Sequence, residues 1–486
     1  SKNVANYLRA VTQGKESFIE SSAVQEWSFE KDEDDSDFNK IREYIACFRH
    51  PVFQSGALRN MSSPAPDLNR MRVTATAYVG TDELSQVVAF PRRSVQGLPV
   101  LECPQFGREP HTLSTTEQDL DIGQAYHMHE EITSARICLS TEELAKHTFI
   151  TGSTGVGKSN AIYTLLERLA SSEVKGQDAG DEEKKKTIKF LVIEPAKGEY
   201  KRVLASRGVT VFGTNPNLEN MFLLRLNPFR FPEGVHVLEH VDRLVEIFNV
   251  CWPMYAAMPA ILKEAIERAY VQAGWELTSS VNQYNAELFP SFVDVLGQIR
   301  MVLEESDYAA DTKGDYTGAL ATRLRSLTNG INKLIFTADD IADPDLFDRN
   351  VIVDLSRVGS TETKALLMGL LVLKLQEYRM TIHENINASL RHVTVLEEAH
   401  NLLRRTSMEQ SADHANLLGK SVEMLANAIA EMRTYGEGFI IADQSPGLLD
   451  MSVIRNTNTK IILRLPDLSD RELVGRAAGL NDSQIV

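Results

Sequence analysis

Short apolar runs alternate with helix-like stretches from about residue 122 to the end of this 486-residue chain. The stretches between several of these runs carry apolar residues at three- and four-residue spacing, which is typical of helices. Alternation of strand and helix predicts an α/β fold with a mostly parallel sheet that is covered on both faces. The seven predicted strands are 148–150, 189–193, 209–212, 351–354, 392–396, 439–442 and 460–463.

Two regions depart from this alternation. Between residues 234 and 336 the strands give way to four helical patterns separated by proline and glycine, including Gly314. The first hundred residues combine an acidic loop, one short amphipathic helix and a stretch of alternating small apolar residues. The chain is therefore divided into a helical or irregular segment 1–65, a small β-rich region 66–120, a sheet domain in two parts 121–233 and 341–486, and a helical insertion 234–340.

A phosphate-binding motif, G-x-x-x-x-G-K-S, stands between a predicted strand and a predicted helix. Its glycines allow backbone N–H groups to turn toward phosphate oxygens, Lys158 adds a positive charge, and the Ser159 hydroxyl is a ligand for Mg2+. A glycine-rich turn without nucleotide is the alternative, and the flanking strand and helix disfavour it. The residues predicted to bind ATP are Gly152, Ser153, Thr154, Gly155, Val156, Gly157, Lys158, Ser159 and Asn160.

Two adjacent carboxylates follow the predicted strand 392–396. Phosphoryl transfer to water needs a carboxylate that helps to hold the metal ion and a base that activates the water. Glu397 is expected to face the Mg2+ ion, and Glu398, one residue further on, to polarise the attacking water. Two glutamates at a strand end are by themselves more often a solvated edge, but a phosphate-binding motif in the same chain favours the catalytic interpretation.

A second predicted strand ends close to Gln444, whose amide can orient the attacking water or sense the γ-phosphate. The neighbouring Asp443 is expected to be structural. Upstream, Arg433 lies at the end of a helical pattern that glycine terminates at residue 436. Arg433 is either an ordinary cation at a helix end or an arginine finger.

Composition and charge limit the classes of protein to which this chain can belong. The net charge of −16 argues against a general nucleic-acid coat, although a local basic channel is compatible with it. Four widely spaced cysteines indicate neither a disulfide framework nor a zinc site, and no apolar run reaches membrane-spanning length. We expect a cytoplasmic protein without a membrane segment, and a chain that is part of a longer protein.

Together these motifs resemble the HerA branch of the HerA/FtsK superfamily of P-loop ATPases, in a divergent bacterial-type subgroup. The resemblance covers roughly residues 120–486. It rests on the phosphate-binding motif and on four further segments: V-I-E-P-A-K-G-E-Y at 192–200, L-E-E-A-H at 396–400, R-T-Y-G-E-G at 433–438 and D-Q-S-P at 443–446. Where the family usually has Asp-Pro-x-Gly-Glu-Tyr, this chain has Glu194 and one extra residue, Lys197.

The resemblance implies a RecA-like core, hexamer formation and action on double-stranded DNA. It further implies that Ser159 and Glu397 support Mg2+, that Glu398 is the catalytic glutamate, and that Gln444 is a sensor. Arg433 would reach the nucleotide of a neighbouring subunit. The β-rich region would be a remnant of the family's N-terminal β-barrel.

The leading interpretation is a hexameric ATPase that translocates on or unwinds duplex DNA, coupled to a nuclease or another effector in DNA processing or anti-phage defence. The alternative is a nucleotide-gated ring that assembles and activates a partner enzyme with little translocation. A membrane-anchored DNA pump is disfavoured, because these residues contain no anchoring segment.

Overall fold

The computed structural model describes residues 42–44, 46–47, 52–54, 72–74, 93–94, 106–107, 119–127, 130–171, 173–175, 185–204, 207–217, 221–252, 254–382, 388–406 and 417–485. The chain divides into two compact units, Ser1–Cys103 and Pro104–Val486. In the first unit, strands Val52–Gln54 and Arg72–Thr74 pair antiparallel. Most of the predicted segment 1–65 and of the predicted β-rich region 66–120 lies outside the described residues, and the proposed domain boundaries stay predictions.

The second unit is built on an eight-stranded sheet in which every neighbouring pair of strands is parallel. All seven predicted strands are confirmed, with boundaries that shift by no more than two residues. The eighth strand is only two residues long and lies at the sheet edge, where its sequence carries no strand pattern. Across the sheet the order is Phe222–Leu223, Thr210–Gly213, Val351–Asp354, Lys189–Glu194, His392–Glu397, Glu437–Asp443, Thr148–Thr151 and Thr459–Ile462.

The register of this sheet aligns the ends of its central strands. Asp443 lies opposite Thr151, and Glu397 lies opposite Ala442. Further across, Asp354 lies opposite Glu194. Because all strands run in one direction, their carboxyl ends share one edge of the sheet, which is where ligands bind in open α/β folds.

Helices cover both faces of the sheet. One core includes the long buried helix Thr361–Ile382 and the helices between Val237 and Leu327, and the other includes the helix that follows the phosphate-binding motif. The helices are Thr141–Ala145, Lys158–Ser171, Tyr200–Val203, Val237–Cys251, Met258–Gln272, Phe292–Glu305, Ala310–Leu327, Asn332–Ile335, Asp343–Phe347, Thr361–Ile382, Leu417–Glu431, Met451–Arg455, Leu468–Ala477 and Asp482–Ile485, with 3-10 turns at Ala399–Asn401, Met432–Tyr435 and Pro446–Leu448.

Short antiparallel pairs supplement the main sheet, and two details of the sequence analysis are wrong. The helical region contains a hairpin, Trp275–Glu276 with Val281–Asn282, where no strand was expected. Gly314 does not separate two helices, because it lies inside the helix Ala310–Leu327. Two further hairpins pair Asp119–His127 with Glu130–Ser140 and Glu173–Lys175 with Lys185–Thr187.

Lys374 interrupts the most apolar run of the chain and is nevertheless buried. Its ammonium lies 3.0 Å from an oxygen of Asp340 and 3.7 Å from an oxygen of Asp343. The run is therefore the interior of a packed helix. Among the described residues, no helix has the length and apolar character needed to cross a membrane.

A buried ionic network centred on Glu437 joins the helix Thr361–Ile382 to the amino-terminal edge of the sheet. The Glu437 carboxylate accepts hydrogen bonds from Arg379 Nε at 3.0 Å, Thr394 Oγ1 at 2.7 Å and His392 Nδ1 at 2.7 Å. Burial alone raises the pKa of Glu437, but His392 and Arg379 outweigh it, so the pKa lies below its ordinary value.

Replacing Glu437 with alanine should lower the free energy of unfolding by about 3–5 kcal/mol, because it removes the fully buried counter-ion of Arg379 and leaves only the half-exposed Asp348. Since the pKa of Glu437 is lowered in the folded protein, its stabilisation is present at neutral pH and is lost as pH falls through that pKa. The difference in the free energy of unfolding between wild type and Glu437→Ala should therefore become smaller in acid. Urea denaturation at pH 7 and at a series of pH values below 4.5, the ordinary pKa of a glutamate, measures this.

The matched control is Glu264→Ala, which removes a surface pair with Arg268. Exposed pairs contribute at most about 1 kcal/mol. A Glu437→Ala protein as stable as this control would contradict the central role given to the network.

Candidate active site

The phosphate-binding loop Gly152–Ser159 connects strand Thr148–Thr151 to the helix that begins at Lys158. Gly155 and Gly157 adopt positive φ angles of 80° and 101°, a backbone region that strains residues with a Cβ atom. Ser159 and Asn160 follow in the first turn of the helix, where backbone N–H groups have no helical acceptor. The loop therefore has the geometry that anion binding requires.

Lys158 is buried, and its ammonium lies 3.8 Å from Oε1 of Glu398. Burial lowers the pKa of Lys158, an effect that the carboxylates of Glu398, Asp443 and Glu397 partly offset. Within the described residues the ammonium has no hydrogen-bond acceptor. A buried cation without an acceptor is an incomplete site, and the phosphate oxygens of a nucleotide would complete it.

Glu398, Gln444 and Thr154 form a continuous chain of hydrogen bonds. Thr154 Oγ1 donates to Oε1 of Gln444 at 2.6 Å, and Gln444 Nε2 donates to Oε1 of Glu398. The structure thus brings together three of the residues that the sequence singled out on separate segments. Thr154 was expected only as part of the phosphate-binding loop, and its contact with Gln444 has no signal in the sequence.

The backbone of Glu398 is strained. Its φ and ψ angles are 46° and 51°, in the left-handed region, which costs a residue with a side chain on the order of 1–2 kcal/mol. Asn401 holds this turn through its side-chain Nδ2, which donates to the Glu398 carbonyl at 2.8 Å. Strain of this kind, held by neighbouring contacts, is concentrated at functional sites.

Glu397 differs from Glu398 in its surroundings. Its side chain is buried at the strand end, and its Oε1 accepts a hydrogen bond from the Tyr200 hydroxyl at 3.0 Å. Burial raises the pKa of Glu397, while the Tyr200 hydrogen bond and Lys158 oppose that increase. A carboxylate in this position, with the Ser159 hydroxyl on the nearby helix, could serve as a ligand to Mg2+.

Asp443 connects the turn after strand His392–Glu397 with the segment after its own strand. Its carboxylate accepts hydrogen bonds from the His400 backbone N–H at 2.8 Å, from His400 Nδ1 at 2.9 Å and from the Ser445 N–H at 3.0 Å. The Asp443 hydrogen bond raises the pKa of His400. Ligand atoms of Glu398, His400 and Asp443 lie within 4.8 Å of one another, but these hydrogen bonds account for their proximity.

Glu194 and Tyr200 are neighbours of the site whose contacts the sequence did not reveal. Glu194 ends its strand in a buried position, and burial raises the pKa of its carboxyl group to about 8. It accepts hydrogen bonds from the backbone N–H groups of Glu199 at 2.7 Å and Tyr200 at 3.4 Å. The signals in the sequence were the position of Glu194 at the end of an apolar run and the resemblance of segment 192–200 to a family motif.

Arg433 is not part of this constellation within one subunit. It is exposed in the 3-10 turn Met432–Tyr435, which precedes the amino end of strand Glu437–Asp443. The phosphate-binding loop follows the carboxyl end of the adjacent strand. Because a seven-residue strand spans roughly 20 Å, Arg433 lies at the opposite edge of the sheet from its own loop.

Comparison with known proteins places the chain in a family. The family model described as the central domain of the helicase HerA matches residues 120–375. A probable helicase of Methanocaldococcus jannaschii is 23% identical over 361 residues, covering 70% of this chain and 61% of that protein. The DNA double-strand break repair helicase HerA of Sulfurisphaera tokodaii is also 23% identical, covering 70% and 59% of the two chains.

The chain therefore spans about three fifths of the length of these curated relatives. Among solved structures, VirB4 of Thermoanaerobacter pseudethanolicus superimposes with a TM-score of 0.54 at 13% identity, covering 76% of this chain and 90% of the other. At that identity the likeness shows a shared RecA-like fold. Since the HerA model matches more than half of the residues, the chain belongs to the HerA family of P-loop ATPases, within the HerA/FtsK superfamily.

Proposed function

We propose that this protein is an ATP-hydrolysing motor that assembles as a hexamer and translocates on or unwinds double-stranded DNA. We further propose that it is coupled to a nuclease or another effector in DNA processing or anti-phage defence. Membership of the HerA family and the name of the Sulfurisphaera tokodaii relative support the DNA substrate. The observation that carries the enzymatic part is the hydrogen-bonded chain from Thr154 through Gln444 to Glu398, beside the Lys158 ammonium.

In this proposal each residue has one task. The loop Gly152–Ser159 and Asn160 hold the phosphates of ATP, and Lys158 places its charge against them. Glu398 accepts a proton from the attacking water, which the Gln444 amide orients. Ser159 and Glu397 would hold Mg2+, which neutralises charge on the phosphates when bound.

The contact between Lys158 and Glu398 keeps the proton acceptor close to the transferring phosphate. The two side chains are 3.8 Å apart in a largely buried site, with 8% and 13% of their surfaces exposed. Phosphate oxygens compete for the same ammonium, so nucleotide binding would release the Glu398 carboxylate toward water. The hydrogen bond from Gln444 holds that carboxylate in place meanwhile.

DNA binding must come from local positive charge, because the chain as a whole is acidic. Arg323 and Arg325 lie on the helix Ala310–Leu327, with Arg325 exposed and Arg323 half-buried. They are the candidates for phosphate contacts in a central channel, and ordinary surface cations on a helix are the competing interpretation.

Glu398→Gln should retain ATP binding and lose hydrolysis by a factor of about 100 to 10,000, because it removes the base and leaves the phosphate-binding loop intact. Lys158→Ala should instead weaken nucleotide binding. Fluorescent-nucleotide titration and a steady-state ATPase assay separate the two effects. Glu423→Gln, at an exposed glutamate of the helix Leu417–Glu431, is the matched control and should behave like wild type.

Duplex DNA should stimulate the ATPase, and its affinity should fall steeply as salt rises, because phosphate contacts release counterions. Titration of a labelled duplex between about 50 and 200 mM salt tests this. Arg323→Ala and Arg325→Ala should reduce affinity equally for different sequences. A protein that hydrolyses ATP at the same rate with and without duplex would favour the nucleotide-gated scaffold.

Arg433→Ala should abolish ATPase activity if this arginine completes the site of a neighbouring subunit. Mixing Arg433→Ala subunits with Glu398→Gln subunits should then recover part of the activity. The reason is that some interfaces would pair an intact Glu398 with an intact Arg433. Activity is measured across mixing ratios, with mass photometry to verify mixed rings. Full activity of Arg433→Ala alone would return this residue to the role of a surface cation.

A further inference from the structure

The segment Glu194–Lys201 is fixed to the carboxyl edge of the sheet at both of its ends. At the start, the Glu194 carboxyl group accepts the backbone N–H of Glu199 at 2.7 Å and that of Tyr200 at 3.4 Å. At the end, the Lys201 ammonium lies 2.7 Å from Oδ2 of the buried Asp354 on the adjacent strand. The backbone between these anchors includes the left-handed residues Lys197 and Gly198, with φ angles of 64° and 68°.

These anchors determine where the Tyr200 side chain lies. The ring is 1% exposed and packs edge-on against Tyr163, with ring centroids 4.8 Å apart. Its hydroxyl donates to Oε1 of Glu397 at 3.0 Å. One oxygen of Glu397 is therefore committed to a rigid phenol, and the carboxylate cannot rotate without breaking this hydrogen bond.

We propose that Tyr200 is a positioning residue that holds Glu397 in the orientation needed to bind Mg2+, and that Glu194 acts through Tyr200 by setting its place. This inference rests on the proposed function. A group that hydrogen-bonds to a metal ligand fixes the ligand's orientation, and its removal typically costs 10–100-fold in metal affinity. The longer side chain of Glu194, at a position where the family usually has aspartate, reaches the N–H groups at the far end of the loop.

The structure offers a closely matched control. Tyr163 has the same side chain as Tyr200, and the two rings pack against each other. The Tyr163 hydroxyl is buried without a hydrogen-bond partner among the described residues. Tyr163→Phe thus removes an equal group and no hydrogen bond, whereas Tyr200→Phe removes the contact with Glu397. A difference in Mn2+ affinity between the two variants therefore measures the effect of the hydrogen bond alone.

The experiment measures binding of Mn2+, as a paramagnetic substitute for Mg2+, to the complex of the full chain with a non-hydrolysable ATP analogue. Electron paramagnetic resonance gives the free Mn2+ concentration. Tyr200→Phe should lower Mn2+ affinity about tenfold or more, and Tyr163→Phe should leave it unchanged. Nucleotide affinity in EDTA and the apo melting temperature should be the same for both variants.

Two variants of Glu194 extend the test. The two carboxylate oxygens of Glu194 each accept one N–H group, and Glu194→Gln keeps one oxygen for the shorter hydrogen bond, from Glu199, so Mn2+ affinity should stay within about twofold of wild type. Glu194→Ala removes the acceptor and should reproduce the loss seen with Tyr200→Phe.

Three results would contradict the inference about Tyr200, and they differ in what they say about the proposed function. Equal Mn2+ affinity in Tyr200→Phe and Tyr163→Phe would overturn the inference while leaving the proposed function intact. A parallel loss of nucleotide binding in EDTA by Tyr200→Phe would also overturn it, since the tyrosine would then be structural. A wild-type protein that binds no ATP analogue would instead refute the proposed function, and the inference with it.

Discussion

The common direction of the eight strands is the constraint on which the site depends. In a parallel sheet every carboxyl end lies at the same edge, so residues that follow different strands become neighbours. Glu194, Glu397 and Asp443 end three strands of this sheet, and the phosphate-binding loop follows a fourth. If one strand were reversed, the residue at its carboxyl end would lie at the opposite edge.

Gathering carboxylates at one edge has an electrostatic cost, because buried like charges disfavour ionisation. Three features of the site offset this electrostatic cost. Glu194 has a raised pKa of about 8 and accepts backbone hydrogen bonds, Asp443 binds His400, and Asp354 binds Lys201. The Lys158 ammonium lies 3.8 Å from Oε1 of Glu398. An excess of negative charge near an incomplete phosphate site suits a protein whose ligand arrives with a metal ion.

The two edges of the sheet serve different purposes. At the amino edge, Glu437, Arg379 and His392 form a buried network that joins a long helix to two strands. At the carboxyl edge, Glu398 is strained and Lys158 lacks an acceptor among the described residues. Arg433 also lies toward the amino edge, and for that reason the proposed arginine finger serves a neighbouring subunit.

Much of the fold and of the candidate site could be read from the sequence. Buried parallel strands are nearly uninterrupted apolar runs, so seven of the eight strands were predicted, and a strand of two residues has too little pattern to detect. The phosphate-binding loop is local, because its spacing of glycine, lysine and serine is dictated by contacts within eight residues. The adjacent pair Glu397 and Glu398 could be placed for a similarly local reason, since Glu397 ends a strand and Glu398 is the next residue.

Only the tertiary structure decided which of these residues touch. The contact between Thr154 and Gln444 joins residues 290 positions apart, and that between Tyr200 and Glu397 joins residues 197 positions apart. Such pairs depend on the order of strands across the sheet, which the linear pattern of apolar residues does not encode. The sequence determined the kinds of chemistry present and the strand after which each residue lies. Strand order, register and packing decided which oxygen each donor meets, because those contacts exist only once the sheet has formed.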